Sequence, residues 1–292
     1  MNDNIVLSIS GGAGLFPASI GACYKIDEYI REIYPGKTIK YAGVSSGCLV
    51  ALMLSLGMAE DENFKFYLRF VGFFDAWYKN PVTYWYVAVR KLIEAILREP
   101  DDYKRLNGRL HVGITRVRVG RKPEFVVVSE FKSNKHVVDT IIVSGTLFPL
   151  SWTPVRFYDG GLACDGGYVY NYVTLEDHYN VVFKYDHVTG VFGAWDWLIS
   201  TSVDKWHRLF KGAQRHIRDR EGEWKEIIRS KGNTRDIIRK GDRSNTLTYA
   251  LRIMKWLILE GKGVKIFIFV VMVFMFWRRW KNLNKYKKFL VC

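Results

Sequence analysis

An α/β domain is predicted for the N-terminal part of the chain, because strand-like segments alternate there with helical ones. The first unit is an apolar strand at residues 5–10, a glycine-rich turn and a helix at residues 16–33 with apolar side chains near helical spacing. The second unit is a β-branched and aromatic strand at residues 38–42, another turn containing glycine and an apolar helix at residues 48–56. Such alternation favours a sheet that is covered by helices.

The turn after the first strand, Gly11-Gly12-Ala13-Gly14, has the composition of an anion-binding loop. Glycine has no Cβ, so the backbone N–H groups of this turn can point into a site and hold negative charge. The phosphate-binding pattern G-x-x-x-x-G-K-[ST] does not occur, and G-x-G-x-x-G fails because Pro17 stands where its last glycine belongs. Two interpretations stay open, an oxyanion hole and a plain tight turn.

The second turn, Gly43-Val44-Ser45-Ser46-Gly47, matches the G-x-S-x-G pattern of a nucleophile elbow. In an elbow, the sharp turn from strand to helix exposes the serine hydroxyl, and the helix N-terminus behind it favours developing negative charge. The pattern alone is short, but its place between a strand and a helix supports the assignment. Ser45 is therefore the candidate nucleophile.

A candidate base follows much later, in the segment Phe157-Tyr158-Asp159-Gly160-Gly161. An aspartate at a strand end before two glycines has little packing role, whereas a carboxylate can take the proton of a serine hydroxyl. In this order, the glycine-rich turn, Ser45 and Asp159 resemble the motifs of the patatin-like phospholipases.

The resemblance covers about residues 1–190 and implies a three-layer α/β/α domain that cleaves fatty-acyl esters with a Ser-Asp dyad and without histidine. Ser45 is the implied nucleophile, Asp159 is the implied base, and no metal or organic cofactor is implied. The implied substrate is a membrane phospholipid or a neutral lipid. The implied oxyanion hole consists of the backbone N–H groups around Gly11, Gly12, Ala13, Gly14 and Ser46.

A second aspartate competes for the role of base. Asp165 also precedes two glycines, and Asn171 stands at the offset from it where the family often has asparagine. The proline that commonly follows this asparagine is replaced by Val173. Asp159 is preferred because residues 155–158 supply a strand that leads into it, and Asp165 is kept as the alternative base.

A non-catalytic membrane- or lipid-binding protein on the same fold is one alternative, and the glycine-rich turn keeps it open. Ala13 interrupts the glycines, and Leu15 and Phe16 stand where the family commonly has Lys or Arg. The presence of both Ser45 and Asp159 argues against a protein without activity.

A Ser-His-Asp α/β-hydrolase esterase is the other alternative, since His178 or His187 follows Asp159 in the required order of serine, acid and histidine. That fold normally forms several strands before its elbow, and only two are predicted before Ser45. The histidines and cysteines show none of the spacings of a zinc site, so no metal is expected.

Charge separates the C-terminal part of the chain from the rest. Lys and Arg total 44 against 29 Asp and Glu, and the net charge of +15 comes from the residues after about 200. We therefore expect three regions: a hydrolase domain at residues 1–190, a basic helical extension at residues 191–261, and a hydrophobic and polybasic tail at residues 262–292.

The tail is predicted to associate with membranes. Residues 266–277 are an unbroken apolar run with Arg, Lys and Trp directly behind it. As a helix the run measures about 18 Å, which is short of the ~30 Å hydrocarbon core. An interfacial helix on an anionic membrane fits these flanks, and a helix packed on the enzyme domain is the alternative. Nucleic acid is not the expected partner, and without an apparent signal peptide a cytoplasmic, membrane-associated protein is expected.

Overall fold

The computed structural model describes residues 4–62, 81–118, 121–147, 155–188, 191 and 203–230. The predicted tail at residues 262–292, with its apolar run at residues 266–277, lies outside these described residues. Its association with membranes therefore stays a prediction.

Seven strands form one mixed sheet in the described part of the chain. They are β1 (Ile5–Ile9), β2 (Ile39–Val44), β3 (Leu110–Val117), β4 (Glu124–Val128), β5 (Arg156–Tyr158), β6 (Gly161–Asp165) and β7 (Tyr179–Phe183). The strand order is β5-β6-β3-β2-β1-β7, and β4 pairs with β3. The pairs β7–β1, β1–β2 and β2–β3 are parallel, whereas β4 and β6 run antiparallel to β3 and β5 runs antiparallel to β6.

The helices flank this sheet, which confirms the predicted α/β architecture. They are α1 (Phe16–Ile33), α2 (Gly47–Leu56), α3 (Pro81–Ile96), α4 (Asp102–Leu106), α5 (Asn134–Ser144), α6 (Val203–Asp219) and α7 (Glu221–Arg229). Pro17 lies in the first turn of α1, where its missing N–H costs no hydrogen bond. Gly57 ends α2 in the left-handed conformation, with φ of 73°.

The apolar core has two parts because successive residues of a strand face opposite sides of the sheet. Leu7, Tyr41 and Ile114 belong to the main cluster, together with the buried residues of the helices. On the other face, strand residues such as Val6 and Val44 form a smaller cluster that includes no helical residue among those described.

The described part of the predicted basic extension consists of α6 and α7, and both helices contribute to the main core. Trp206 of α6 is buried and meets the ring of Phe16 edge to face, with centroids 4.9 Å apart. A Cβ on Gly21 of α1 would lie 2.3 Å from the carbonyl oxygen of Phe210, so this glycine permits the close contact of α1 with α6. Among the described helices, none is long and apolar enough to cross a membrane.

Two strand ends meet on one edge of β3. β2 pairs with the first half of β3 and ends with Val44 opposite Gly113, while β6 approaches from the other direction and ends with Asp165 opposite Ile114. β4 occupies the other edge of β3. Since Gly113 and Ile114 are neighbours, the turn that follows β2 and the last residue of β6 are brought close together.

Candidate active site

Ser45 lies in the turn between β2 and α2, and its backbone is left-handed with φ of 54°. A Cβ on Gly43 would lie 2.6 Å from the backbone nitrogen of Cys48. A Cβ on Gly47 would lie 2.4 Å from the carbonyl oxygen of Ile9. Neither contact leaves room for a side chain, so both glycines are needed for the sharp turn that presents the serine.

The elbow is braced by Ser144, the last residue of α5. The backbone N–H of Ser45 donates to Ser144 Oγ at 2.9 Å, and the Ser144 hydroxyl donates to the carbonyl oxygen of Gly113 at 2.7 Å. The thiol of Cys48 also donates to Ser144 Oγ, at 3.2 Å. Ser144 was not among the site residues predicted from the sequence, because only the packing of α5 on β3 brings it to the elbow.

Asp165 is the carboxylate that the fold brings to Ser45. Its Oδ1 accepts from the backbone N–H of Gly167 at 2.7 Å, whereas Oδ2 is buried and has no hydrogen bond of regular geometry among the described residues. Burial raises the pKa of Asp165 to about 7, although hydrogen bonding to the Ser45 side chain and to Gly167 opposes the rise. A buried carboxyl that titrates near neutrality, beside a serine, suits a general base.

The structure places Asp159, the base preferred from the sequence, away from the elbow. Asp159 occupies the turn between β5 and β6, about 13 Å along β6 from Asp165. Its half-exposed carboxylate pairs with Arg116 at 3.7 Å and with Lys132 at 3.5 Å. The strand that leads into Asp159 is β5, but the chain then turns back, and β6 carries the alternative base to the elbow.

The glycine-rich turn is held beside Ser45 by Asn171. The N–H of Gly11 donates to the side-chain and backbone oxygens of Asn171 at 3.2 and 3.3 Å, and Asn171 Nδ2 donates to the carbonyl oxygen of Gly11 at 3.0 Å. A Cβ on Gly11 would lie 2.7 Å from the Cβ of Ser45. The turn therefore packs directly against the elbow.

A second anchor holds the next residue of the turn. The N–H of Gly12 donates to Ser46 Oγ at 3.0 Å, and Ser46 is hydrogen-bonded to the hydroxyl of Tyr185, which also pairs with Ser19. Burial raises the pKa of Tyr185, so this phenol stays neutral. A Cβ on Gly12 would lie 2.0 Å from the Tyr185 ring. Tyr185 follows β7, and no sequence signal connected it with the turn.

Because of these anchors, the predicted oxyanion donors fall into two groups, those whose N–H already has an acceptor and those whose N–H has none among the described residues. The N–H groups of Gly11 and Gly12 are engaged by Asn171 and by Ser46 Oγ. For the N–H groups of Ala13, Gly14 and Ser46, no hydrogen-bond acceptor is found among the described residues. Ala13 has φ of 47°, so the turn takes a left-handed step although the residue is not glycine.

The histidines of the alternative triad have other partners. His178 precedes β7, which is parallel to β1 and β2, so it lies near the N-terminal ends of these strands, whereas the elbow lies at their C-terminal ends. Its Nδ1 hydrogen-bonds with the carbonyl oxygen of Glu176. His187 Nδ1 accepts from the N–H of Lys184 at 3.1 Å, and its ring packs against Trp224. The described residues include no cluster of three His, Cys, Asp or Glu side chains suited to a metal ion.

The fold and this site define an α/β protein with a nucleophile elbow, a buried acid and a glycine-rich turn on one sheet. The family model described as patatin-like phospholipase matches residues 7–177, which is more than half of the chain. The chain therefore belongs to the patatin-like phospholipase family, whose members are lipid acyl hydrolases or transacylases.

The chain resembles omega-hydroxyceramide transacylase from two mammals. The Homo sapiens protein is 32% identical over 42% of this chain and 24% of its own length. The Mus musculus protein is 29% identical over 53% of this chain and 26% of its own length. The chain thus spans about a quarter of the length of these relatives.

Among solved structures, the chain resembles one from the ExoU–SpcU heterodimer of the Pseudomonas aeruginosa type III secretion system. The sequence identity is 16% and the TM-score is 0.38, over 75% of this chain and 52% of that chain.

Proposed function

We propose that the protein transfers the acyl group of a lipid ester to water, with Ser45 as nucleophile and Asp165 as general base. The observation that carries the proposal is the meeting of β2 and β6 on neighbouring residues of β3. It sets the elbow serine beside a buried carboxyl whose Oδ2 has no regular hydrogen-bond partner among the described residues.

In the first half of the reaction, Asp165 takes the hydroxyl proton of Ser45 while Oγ attacks the ester carbonyl. The negative charge on the carbonyl oxygen is held by backbone N–H groups, for which Ala13, Gly14 and Ser46 are the proposed donors. When the ester bond breaks, Asp165 returns the proton to the departing alcohol, and an acyl-serine is left.

In the second half, a water molecule attacks the acyl-serine while Asp165 takes one of its protons. Collapse of this intermediate releases the fatty acid and returns the proton to Ser45 Oγ. The same carboxyl thus acts as base and acid in turn, which suits a pKa of about 7.

Transfer of the acyl group to an alcohol is a second candidate activity, and it is favoured by the name of the mammalian relatives, omega-hydroxyceramide transacylase. The acyl-serine would be the same, and a hydroxyl group would replace water in the second half. Product analysis with and without a long-chain alcohol separates the two activities, since only transfer yields a new ester.

We also propose that residues 262–292 attach the protein to anionic membranes, on the grounds of their apolar run and basic flank. A chain that ends at Gly261 should bind anionic vesicles much more weakly than the full chain in high salt. Equal binding of both forms would contradict this attachment.

The experiment that tests the proposed activity compares the wild type with Ser45→Ala and with the control Ser230→Ala, a change at the exposed end of α7. A fluorophosphonate should label the wild type and the control but not Ser45→Ala. Release of fatty acid from mixed lipid vesicles should follow the same pattern. An unlabelled wild type that is folded and releases no fatty acid would contradict the proposal and favour the non-catalytic lipid-binding alternative.

A further inference from the structure

The antiparallel half of the sheet carries an apolar strip on the face that α5 does not cover. Register places Phe157 of β5 opposite Leu162 of β6, and Leu162 opposite Val117 of β3. Phe125 of β4 lies on the same face, and its ring meets Tyr170 edge to face at 5.3 Å. These five residues (Val117, Phe125, Phe157, Leu162 and Tyr170) form the apolar strip.

Three side chains of the apolar strip are largely in water: Phe157 is 78% exposed, Tyr170 48% and Leu162 39%. Tyr158, which points to the opposite face, is buried and hydrogen-bonds with Thr140 and His136 of α5. Single exposed apolar side chains are common, but a contiguous group of aromatic and aliphatic ones marks a contact surface.

The surroundings of the apolar strip are basic. Arg116 near the end of β3 is followed by Arg118, Arg121 and Lys122 before β4 begins at Glu124, and Arg118 pairs with Glu124 at 3.6 Å. Lys132 and Arg116 both pair with Asp159 at the turn between β5 and β6, and Arg116, which lies opposite Ala163, reaches this turn from the face that α5 covers. A positive rim around exposed rings fits a partner that offers anionic groups above an apolar layer.

The apolar strip is joined to the candidate active site at two points. β6 runs from Leu162 directly to Asp165. Tyr170 immediately precedes Asn171, which holds the glycine-rich turn at Gly11. The apolar strip therefore borders, along the chain, two of the segments that form the candidate active site.

We propose that the apolar strip is the surface by which the folded domain docks on an anionic lipid bilayer. Phe157, Leu162 and Tyr170 enter the boundary between headgroups and acyl chains, and the neighbouring Arg and Lys side chains bind the headgroups. This inference rests on the proposed function, since docking there brings ester lipids to Ser45. It is independent of the tail at residues 262–292.

The test uses the full chain, with vesicles of phosphatidylcholine and phosphatidylserine that contain an ester lipid, beside a water-soluble short-chain ester. The double variant Phe157→Ser/Leu162→Ser should hydrolyse the vesicle ester at least about tenfold more slowly, because two apolar anchors are lost. Its rate on the soluble ester should stay within about twofold of the wild type. The matched control is Val203→Ser, which removes an apolar side chain of similar exposure, 41%, from α6.

Hydrogen exchange gives a second readout, and it reports the hairpin itself. In the wild type, vesicles should slow the exchange of amides in residues 156–162, and the double variant should lose this protection. Unchanged vesicle hydrolysis together with unprotected amides would overturn the docking surface. An equal loss on both esters would also overturn it, because the hairpin would then act through Asp165 alone.

Two further outcomes of these experiments can be distinguished from the failure of the docking surface itself. If the wild type hydrolyses neither ester, the proposed function fails, and hydrogen exchange alone decides whether the apolar strip contacts lipid. If the wild type is a dimer that the double variant converts to a monomer, the apolar strip belongs to a second copy of the chain, and the inference is overturned.

Discussion

The two halves of the sheet encode the candidate site in different ways. In the parallel half, each turn of the candidate site follows directly on its strand, so a short local pattern is enough to predict Ser45. In the antiparallel half, Asp-Gly-Gly occurs twice, and only the pairing of β6 with β3 distinguishes Asp165 from Asp159. The proposed nucleophile can thus be predicted from local sequence, whereas the choice of the proposed base depends on strand register.

The largest expected effect tests this comparison directly. Asp165→Asn should lower kcat/KM for a soluble ester by about 10²–10⁴-fold, because the amide cannot take the serine proton. Asp159→Asn should stay within about twofold, since it removes only ion pairs at a half-exposed turn. Both are measured by ester hydrolysis on protein shown to be folded by circular dichroism. The reverse ranking would return the base to the residue that local sequence favoured.

Substitutions at two glycines, one in each half of the sheet, test how strongly the stability of that half depends on close backbone contacts. Gly47→Ala should destabilise the fold by about 1–3 kcal/mol or more, because the new Cβ would meet the carbonyl oxygen of Ile9. Gly161→Ala at the start of β6 meets open space and should change stability by less than about 0.5 kcal/mol. Urea unfolding measures both. A loss of stability for Gly47→Ala as small as that for Gly161→Ala would mean that the elbow tolerates a side chain.

The pH dependence tests the buried acid. Because Asp165 must be ionised to act as base and its pKa is raised to about 7, kcat/KM should fall about tenfold per pH unit well below that value and level off above it. The folded state binds this proton more tightly than the unfolded chain, whose ordinary value is 3.8. The stabilisation is therefore complete below pH 3.8 and is lost as pH rises through about 7.

Asp165→Asn is the control for this pH dependence. The variant should lose the decline in thermal stability between about pH 4 and 7. A wild-type stability that rises over that interval, after correction for the other titrating groups, would contradict a raised pKa.

The smallest effect concerns the anchor of the glycine-rich turn. Tyr185→Phe removes one hydrogen-bond partner of Ser46, so kcat should fall several-fold, about 1 kcal/mol, with KM unchanged. Tyr34→Phe is the matched control, because its hydroxyl donates to the carbonyl oxygen of Ile228. If KM rises while kcat is retained, Tyr185 does not hold the turn in position.

The sequence was sufficient for the parts of the molecule that local interactions determine. Both turns of the parallel half, the helices behind them and the family were predictable, because glycines and apolar periodicity mark them within a few residues. Ser144, Tyr185 and the choice of Asp165 were not, because each depends on a contact between segments far apart in the chain. Those contacts follow from packing and register, which no short pattern records.

The meeting of β2 and β6 on β3 also makes the proposed catalysis depend on a contact between distant segments of the chain. Ser45 and Asp165 are distant in sequence, and closing so long a loop is among the slower contributions to folding. A one-residue slip of β6 would place Cys164 or Gly166 opposite Ile114, and the serine would have no acid beside it. A refolding chain can therefore form the elbow before β6 pairs with β3 and brings Asp165 beside it. With Asp165 as the proposed base, the onset of ester hydrolysis during refolding should report the docking of β6, the step that completes the proposed dyad.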